Sequence, residues 1–340
     1  MARLAINGFG RVGRSLFRAI HERGLAARLR VVAINELADI DTIRYLTRYD
    51  STHGRFPGEV TAAGDELVVD GQAIAISHVA NLDDLRWPDI DIVLECSGTF
   101  DERALAEKHL VAGAGRVLFS QPARADVDAT IVHGINQQQL RGEHRIVSAA
   151  SCTTNCVVPV LDCLHRHLAI EAGVITTIHS AMNDQPLLDS YHNTDLRKTR
   201  AAIQSMIPVD TRLARGIDRV MPELAGRIEA QAMRVPTQNV SAIDLSVTVG
   251  RDTSVSDVNR LLRAAAEALP GILGYTEEPL ASCDFNHDPR SGIVDASQTR
   301  VAGARLVKVL VWFDNEWGYV NRMIDVLLDW QDKIAATGNE

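Results

Sequence analysis

The run Arg3-Leu4-Ala5-Ile6-Asn7-Gly8-Phe9-Gly10-Arg11-Val12-Gly13 decides the fold. A short apolar stretch, Arg3 to Asn7, ends in a glycine-rich turn. Beyond the turn, Val12, Leu16, Ala19 and Ile20 recur at helical spacing, and Gly24 is the expected stop. Strand, Gly-x-Gly-x-x-Gly turn and helix form the opening of a dinucleotide-binding unit. One glycine permits the tight turn, another lets a pyrophosphate approach the backbone, and the third lets helix and strand pack closely. The helix N-terminus offers free N–H groups and partial positive charge to the phosphates. Gly8, Gly10, Arg11, Val12 and Gly13 are therefore the expected cofactor contacts. An acid follows the second strand: Glu36 lies 23 residues after Gly13. A carboxylate about 20 residues on holds adenosine ribose hydroxyls and repels a 2′-phosphate, which favours NAD over NADP. The plain alternative for Glu36 is a solvated loop acid.

The pattern continues outward. Leu29 to Ile34, Asp91 to Cys96, Arg116 to Ser120, Ala129 to His133 and Arg145 to Ala149 read as short buried strands. A helical stretch, Glu102 to Val111, separates two of them. Short strands alternating with helices imply a parallel, doubly wound sheet. Ligands bind at the carboxyl ends of such strands, so Ser97, Gly98 and Ser120 are candidate cofactor contacts, or else ordinary turn residues. After Cys152 the texture changes. Thr153 to Leu168 is helical, with Pro159 expected to kink it or mark its first turns. Asn183 to Asp210 is long and polar with little period, as functional loops are. Arg227 to Val235, Val240 to Val249 and Arg305 to Phe313 predict a mixed or antiparallel sheet, and Tyr319 to Ile334 an amphipathic closing helix. The fold class is α/β: a Rossmann-type parallel sheet plus an α+β domain. Its expected bounds are 1–151 with 316–340, and 152–315.

Length and composition bound the partners. The chain has 340 residues, 46% of them hydrophobic and 23% charged, with a net charge of −9. That is globular composition, enough for about two domains. The acidic total argues against general nucleic-acid or membrane-surface binding but leaves room for a local anion site. No apolar run approaches the ~18 residues of a membrane helix. MARLAINGFGR lacks the core of a signal peptide, and five scattered cysteines suggest reduced thiols, so the expected address is cytoplasmic. The cysteine and histidine spacing predicts no metal site.

Ser151-Cys152-Thr153-Thr154-Asn155-Cys156 runs from a strand end into a helix. A thiol in a first helical turn feels the positive dipole end, which lowers its pKa. Cys152 is the candidate nucleophile, with a buried small hydrophobe as the alternative. His179 ends a strand and is either its general base or a structural histidine. Leu196 to Arg219 carries six basic residues against two acidic ones: a phosphate-binding site, or a solvated face. Arg234, on a strand-like run, would need an anionic partner if it points inward.

NGFGRVGR at Asn7 to Arg14, SCTTNC at Ser151 to Cys156, RVPTQNVS at Arg234 to Ser241 and WFDNEWGY at Trp312 to Tyr319 resemble the glyceraldehyde-3-phosphate dehydrogenase superfamily over essentially the whole chain. The resemblance implies Cys152 as the nucleophile toward an aldehyde and His179 as the base. It implies Asn315 as the residue that orients the nicotinamide amide, and Arg234 as a substrate-phosphate ligand. Ser151, Thr153 and Thr211 match family hydroxyls of a phosphate site, with Arg212 beside them. A homotetramer is implied as well.

Several positions depart from the glyceraldehyde pattern. Met182 and Asp184 stand where H-x-x-T-x-T-Q has threonines, so a phosphate there should be weakened or relocated. Asp210-Thr211-Arg212-Leu213 replaces S-T-G-A, and Asn35-Glu36-Leu37 replaces N-D. With CDFNHDP at Cys283 to Pro289, these features resemble a branch of the superfamily that oxidises erythrose 4-phosphate. The implied reaction makes 4-phosphoerythronate through a thioester hydrolysed by water, toward pyridoxal 5′-phosphate. The alternatives are a phosphorylating enzyme for the three-carbon aldehyde, or a thiol hydrolase or acyltransferase carrying a nucleotide domain.

Overall fold

A computed structural model describes residues 1–192 and 195–337. Asn193 and Thr194 of the polar stretch, and residues 338–340 of the expected first domain, lie outside the described residues. The chain divides into two compact units, Met1–Ala150 with the segment from Val320 onward, and Ser151–Tyr319.

The first unit is built on a nine-stranded sheet. Its order is Ala129–Thr130, Ile146–Ser148, Arg116–Phe119, Ile92–Glu95, Ala2–Asn7, Leu29–Asn35, Gln72–Ser77, Glu66–Val69 and Val60–Ala63. The first seven are mutually parallel, and the last two join by antiparallel pairing. Ala2–Asn7 sits near the middle and is almost wholly buried, which explains its unbroken apolar reading. The strands near 130 and 147 are shorter than expected, at two and three residues. The strands between 60 and 77 extend the sheet where the sequence reading placed none. Their burial alternates, as in Gln72–Ser77, and such short runs have a weak signal.

The closing helix, Trp317–Thr337, supplies this unit from Val320 on. Val320, Met323, Ile324, Leu327 and Trp330 are fully buried. Asp325 pairs with Arg23 at 2.9 Å, and the Trp330 indole N–H donates to the Arg141 carbonyl at 3.2 Å. The helix is thus tied to the unit along its middle turns.

The second unit holds a seven-stranded mixed sheet. Its order is Ile207–Val209, Ile228–Arg234, Ile170–His179, Ser241–Val249, Leu306–Phe313, Gly292–Ala302 and Leu273–Thr276. Ile170–His179 is parallel to Ile228–Arg234 and antiparallel to Ser241–Val249, which is antiparallel to Leu306–Phe313. These directions bring the ends of three strands, and the start of a fourth, to one edge. His179, Arg234, Ser241 and Phe313 meet there. The polar stretch contains a 3₁₀ turn, Leu196–Thr199, and a short strand, Ile207–Val209. Helix Cys152–Leu168 continues past Pro159, which is buried and neither ends nor begins it.

Trp330 is the largest anchor of the closing helix. Trp330→Ala should lower stability by about 3–5 kcal/mol, the usual cost of truncating a buried aromatic. Urea unfolding of the full chain measures it.

Candidate active site

The cofactor turn is shaped by what its glycines lack. Gly8 has φ +87°, and a β-carbon there would lie 2.5 Å from the Ser97 backbone. A β-carbon on Gly13 would collide with the Gly8 carbonyl oxygen. Gly10 faces open space, and it caps helix Arg11–Glu22 with no side-chain hydrogen bond. This cradle fits a pyrophosphate: two glycines close the packing and the third leaves an approach to the helix end. Glu36 accepts the Phe9 N–H at 2.7 Å and the Leu37 N–H at 2.8 Å. It is therefore an acid tied to the turn rather than a solvated loop residue. The Arg11 guanidinium is engaged by Asp50 at 2.6 Å. Burial works to raise Asp50, but Arg11 and the N–H groups of His53 and Thr52 outweigh it and bring its pKa to about 2. Arg11 thus anchors the turn through its side chain. Ser97 and Gly98 are exposed beside the turn, and the Ser120 N–H donates to the Glu95 carbonyl at 3.0 Å.

The second unit gathers the catalytic candidates. Helix Cys152–Leu168 starts after Ala150, whose left-handed φ of 59° redirects the chain from strand to helix. Ser151 caps that helix, accepting the Thr154 N–H at 3.0 Å, and its hydroxyl bonds Thr153 and Thr154. Cys152 Sγ lies 4.0 Å from His179 Nε2. His179 Nδ1 is 2.8 Å from the Ser180 carbonyl oxygen. A carbonyl only accepts, so Nδ1 carries the proton and Nε2 presents a lone pair to the thiol. That is the orientation a base needs.

The charge state differs from the sequence expectation. Burial pushes the Cys152 thiol up to about 11, against the backbone N–H groups of Thr153 and Cys152, and Asp314 adds to the rise. Burial also lowers His179, and nearby Arg234 lowers it further. The resting pair is a neutral thiol facing a neutral imidazole. The helix end does pull the thiol down, as expected, but desolvation is the larger effect.

Arg234 is buried beside His179, its partner in strand register. Its anionic partner is Asp184, at 2.6 and 3.2 Å, and Asp184 also pairs with Lys198 at 2.8 Å. The Met182 sulfur lies 3.6 Å from the same guanidinium. Two residues of the basic segment are therefore neutralised locally, Lys198 by Asp184 and Arg200 by Asp189. Thr211 and Arg212 follow the far end of strand Ile207–Val209, which starts beside Arg234 and runs away from it. They lead instead into helix Leu213–Val220, where Thr211 Oγ1 accepts the Leu213 N–H. A β-carbon on Gly216 of that helix would be 2.9 Å from Thr154 Oγ1, so the helix packs on the first turn of the Cys152 helix.

Asn315 Oδ1 accepts from the hydroxyls of Ser180, at 3.0 Å, and Ser241, at 2.8 Å. Ser180 and Ser241, neither of them a predicted site residue, hold it, and its neighbour Asp314 fixes the loop it stands on. Asp314 is buried and takes four donors: Asn239 Nδ2 and the N–H groups of His287, Glu316 and Trp317. An aspartate directly before a helix is a legible cap signal. The two serines gave none, because their partner, Asn315, lies far along the chain in a turn.

Residues 2–103 match the family described as glyceraldehyde 3-phosphate dehydrogenase, NAD binding domain. Residues 151–315 match glyceraldehyde 3-phosphate dehydrogenase, C-terminal domain. The chain belongs to the glyceraldehyde 3-phosphate dehydrogenase family. It is an NAD-dependent dehydrogenase with a Rossmann-type domain. NAD is its cofactor. Among the described residues no cluster of three or more His, Cys, Asp or Glu could hold a metal ion.

The raised thiol gives a measurable sign. Below its pKa Cys152 stays protonated, so its reactivity falls with falling pH. Iodoacetamide labelling at Cys152 in the cofactor-free protein, read by peptide mass, should climb past the ordinary thiol value of 9 toward about 11. A plateau at or below 9 contradicts it.

Proposed function

We propose that this dehydrogenase oxidises erythrose 4-phosphate to 4-phosphoerythronate, with Cys152 as nucleophile and His179 as base. The observation that carries the chemistry is the His179 lone pair facing the Cys152 thiol. Nε2 accepts the thiol proton as sulfur adds to the aldehyde carbon, and returns it to the oxygen of the thiohemiacetal. It then takes that hydroxyl proton as the thioester forms. Bound NAD supplies the hydride acceptor. Backbone N–H groups at the start of the Cys152 helix steady the oxyanion. Once the hydroxyl proton has passed to solvent, His179 deprotonates a water that attacks the thioester carbon; the carbon–sulfur bond breaks, the leaving sulfur takes the proton back from His179, and the acid is released. The product would serve pyridoxal 5′-phosphate synthesis.

The choice of the four-carbon aldehyde rests on Arg234. Its guanidinium already pairs with Asp184 and touches Met182. A phosphate at that spot would compete with a carboxylate, whereas a longer aldehyde presents its phosphate at a different reach. Ser151, Thr153, Thr211 and Arg212 are the other substrate-binding residues of this reading, and Asn315 orients the nicotinamide amide.

A homotetramer in the cytoplasm completes the proposal. Leu187, Leu188, Tyr191, Leu196, Ile203 and Met206 are exposed on the polar stretch, a concentration of apolar side chains that a second copy would cover. All five cysteines are free thiols. Among the described residues no helix is long and apolar enough to cross a membrane.

Initial rates with erythrose 4-phosphate and with glyceraldehyde 3-phosphate, each with and without inorganic phosphate, test the substrate. Phosphate-independent turnover that prefers the four-carbon aldehyde is expected. Phosphate-dependent turnover preferring the triose would overturn it in favour of the phosphorylating reaction. Cys152→Ser should abolish NADH formation, and His179→Asn should lower kcat by about 10²–10⁴-fold, the usual contribution of a general base.

A further inference from the structure

A buried polar ladder crosses the cofactor unit beneath its glycine turn. Ser77, Asn35, Asn7 and Glu95 end four adjacent parallel strands and stand in register. The Ser77 hydroxyl donates to Asn35 Oδ1 at 2.9 Å, Asn35 Nδ2 to Asn7 Oδ1 at 2.9 Å, and Asn7 Nδ2 to Glu95 Oε2 at 2.7 Å. From the other side the Trp87 indole N–H donates to His109 Nδ1 at 3.0 Å, and His109 Nε2 meets Glu95 Oε2 at 2.9 Å. Glu95 Oε1 accepts the Ser97 N–H at 2.8 Å. Glu95 and His109 are each only 1% exposed.

The direction of every bond is fixed. Val79 donates its N–H to Asn35 Oδ1 and accepts from Nδ2, so Asn35 cannot flip. Asn7 must then donate toward Glu95. The indole only donates, so His109 Nδ1 is the acceptor and Nε2 carries the proton. All donors therefore converge on one carboxylate. Its position also matters. Asn7 directly precedes Gly8, and Gly8 rests on Ser97 with no room for a β-carbon. Glu95 thus holds both sides of the turn on which the dinucleotide sits.

We propose that Glu95 is a positioning residue for NAD: its buried carboxylate ties Asn7 and Ser97 together and so holds the glycine turn in its binding shape. A carboxamide cannot replace it. Its NH₂ would face Asn7 and His109 in one orientation, and Ser97 in the other, all of them donors that cannot reverse. No charged partner offsets the carboxylate within the ladder, so its retention depends on these donors.

Two variants of the full chain test this, Glu95→Gln and the milder Trp87→Phe, which keeps an aromatic ring and removes one donor. NAD affinity is measured by calorimetry at 25 °C, with thermal melting and the Cys152 labelling rate measured without cofactor. Glu95→Gln should raise the NAD dissociation constant at least tenfold and leave Cys152 labelling within twofold. Trp87→Phe should raise it severalfold. A purely structural role would lower the melting temperature and leave the constant unchanged at 25 °C. The proposal is overturned if folded Glu95→Gln binds NAD within twofold of the unsubstituted chain. Should that variant not fold, the same result for Trp87→Phe overturns it.

Discussion

Gly8 lies so close to the Ser97 backbone that no side chain can stand between them, and the cofactor unit is organised around that contact. The same economy of space recurs at Gly13, which packs on the Gly8 carbonyl. Such close approach brings the ends of neighbouring strands together, and their polar side chains must then satisfy one another away from water. Asn7, Asn35 and Glu95 do so across the sheet. Gly10 is the exception, left open where a phosphate would arrive. A turn read as a binding motif is thus also the point that fixes the alignment of several strands.

The catalytic unit works by a different balance. The Cys152 thiol sits at a helix end, which favours thiolate, and is partly buried near Asp314, which opposes it. The second influence is larger. Facing that thiol is His179, whose tautomer is set by one backbone carbonyl. Asp314 couples this setting to the rest of the unit. It caps the closing helix, holds the loop at His287, and adjoins Asn315, whose oxygen is held by the two serines near His179. Arg234 is likewise constrained: a buried guanidinium cannot remain unpaired, and Asp184 meets it.

Much of this was legible in the chain itself. The turn from Gly8 to Gly13, the parallel strands around it and the amphipathic closing helix follow from local periodicity and glycine placement. The strands between 60 and 77 were not legible, because they are short and alternate on a half-exposed edge. Cys152 at a helix start and His179 at a strand end were readable as positions, and Arg234 as a residue in need of an anion. The sequence departures at Met182 and Asp184 marked that anion site without showing that Asp184 itself would occupy the guanidinium.

The amino-acid order by itself determined most element types, the glycine cradle and the place of Cys152 at a helix start, since these depend on residues within a few positions of each other. Tertiary structure alone decided which partners meet. Strand direction put His179 beside Arg234, and register aligned Asn7 with Glu95. Burial reversed the expected shift of the Cys152 thiol. The physical reason is common to all three. Hydrogen-bond partners and desolvation depend on groups brought together from far along the chain, and local spacing carries no record of them.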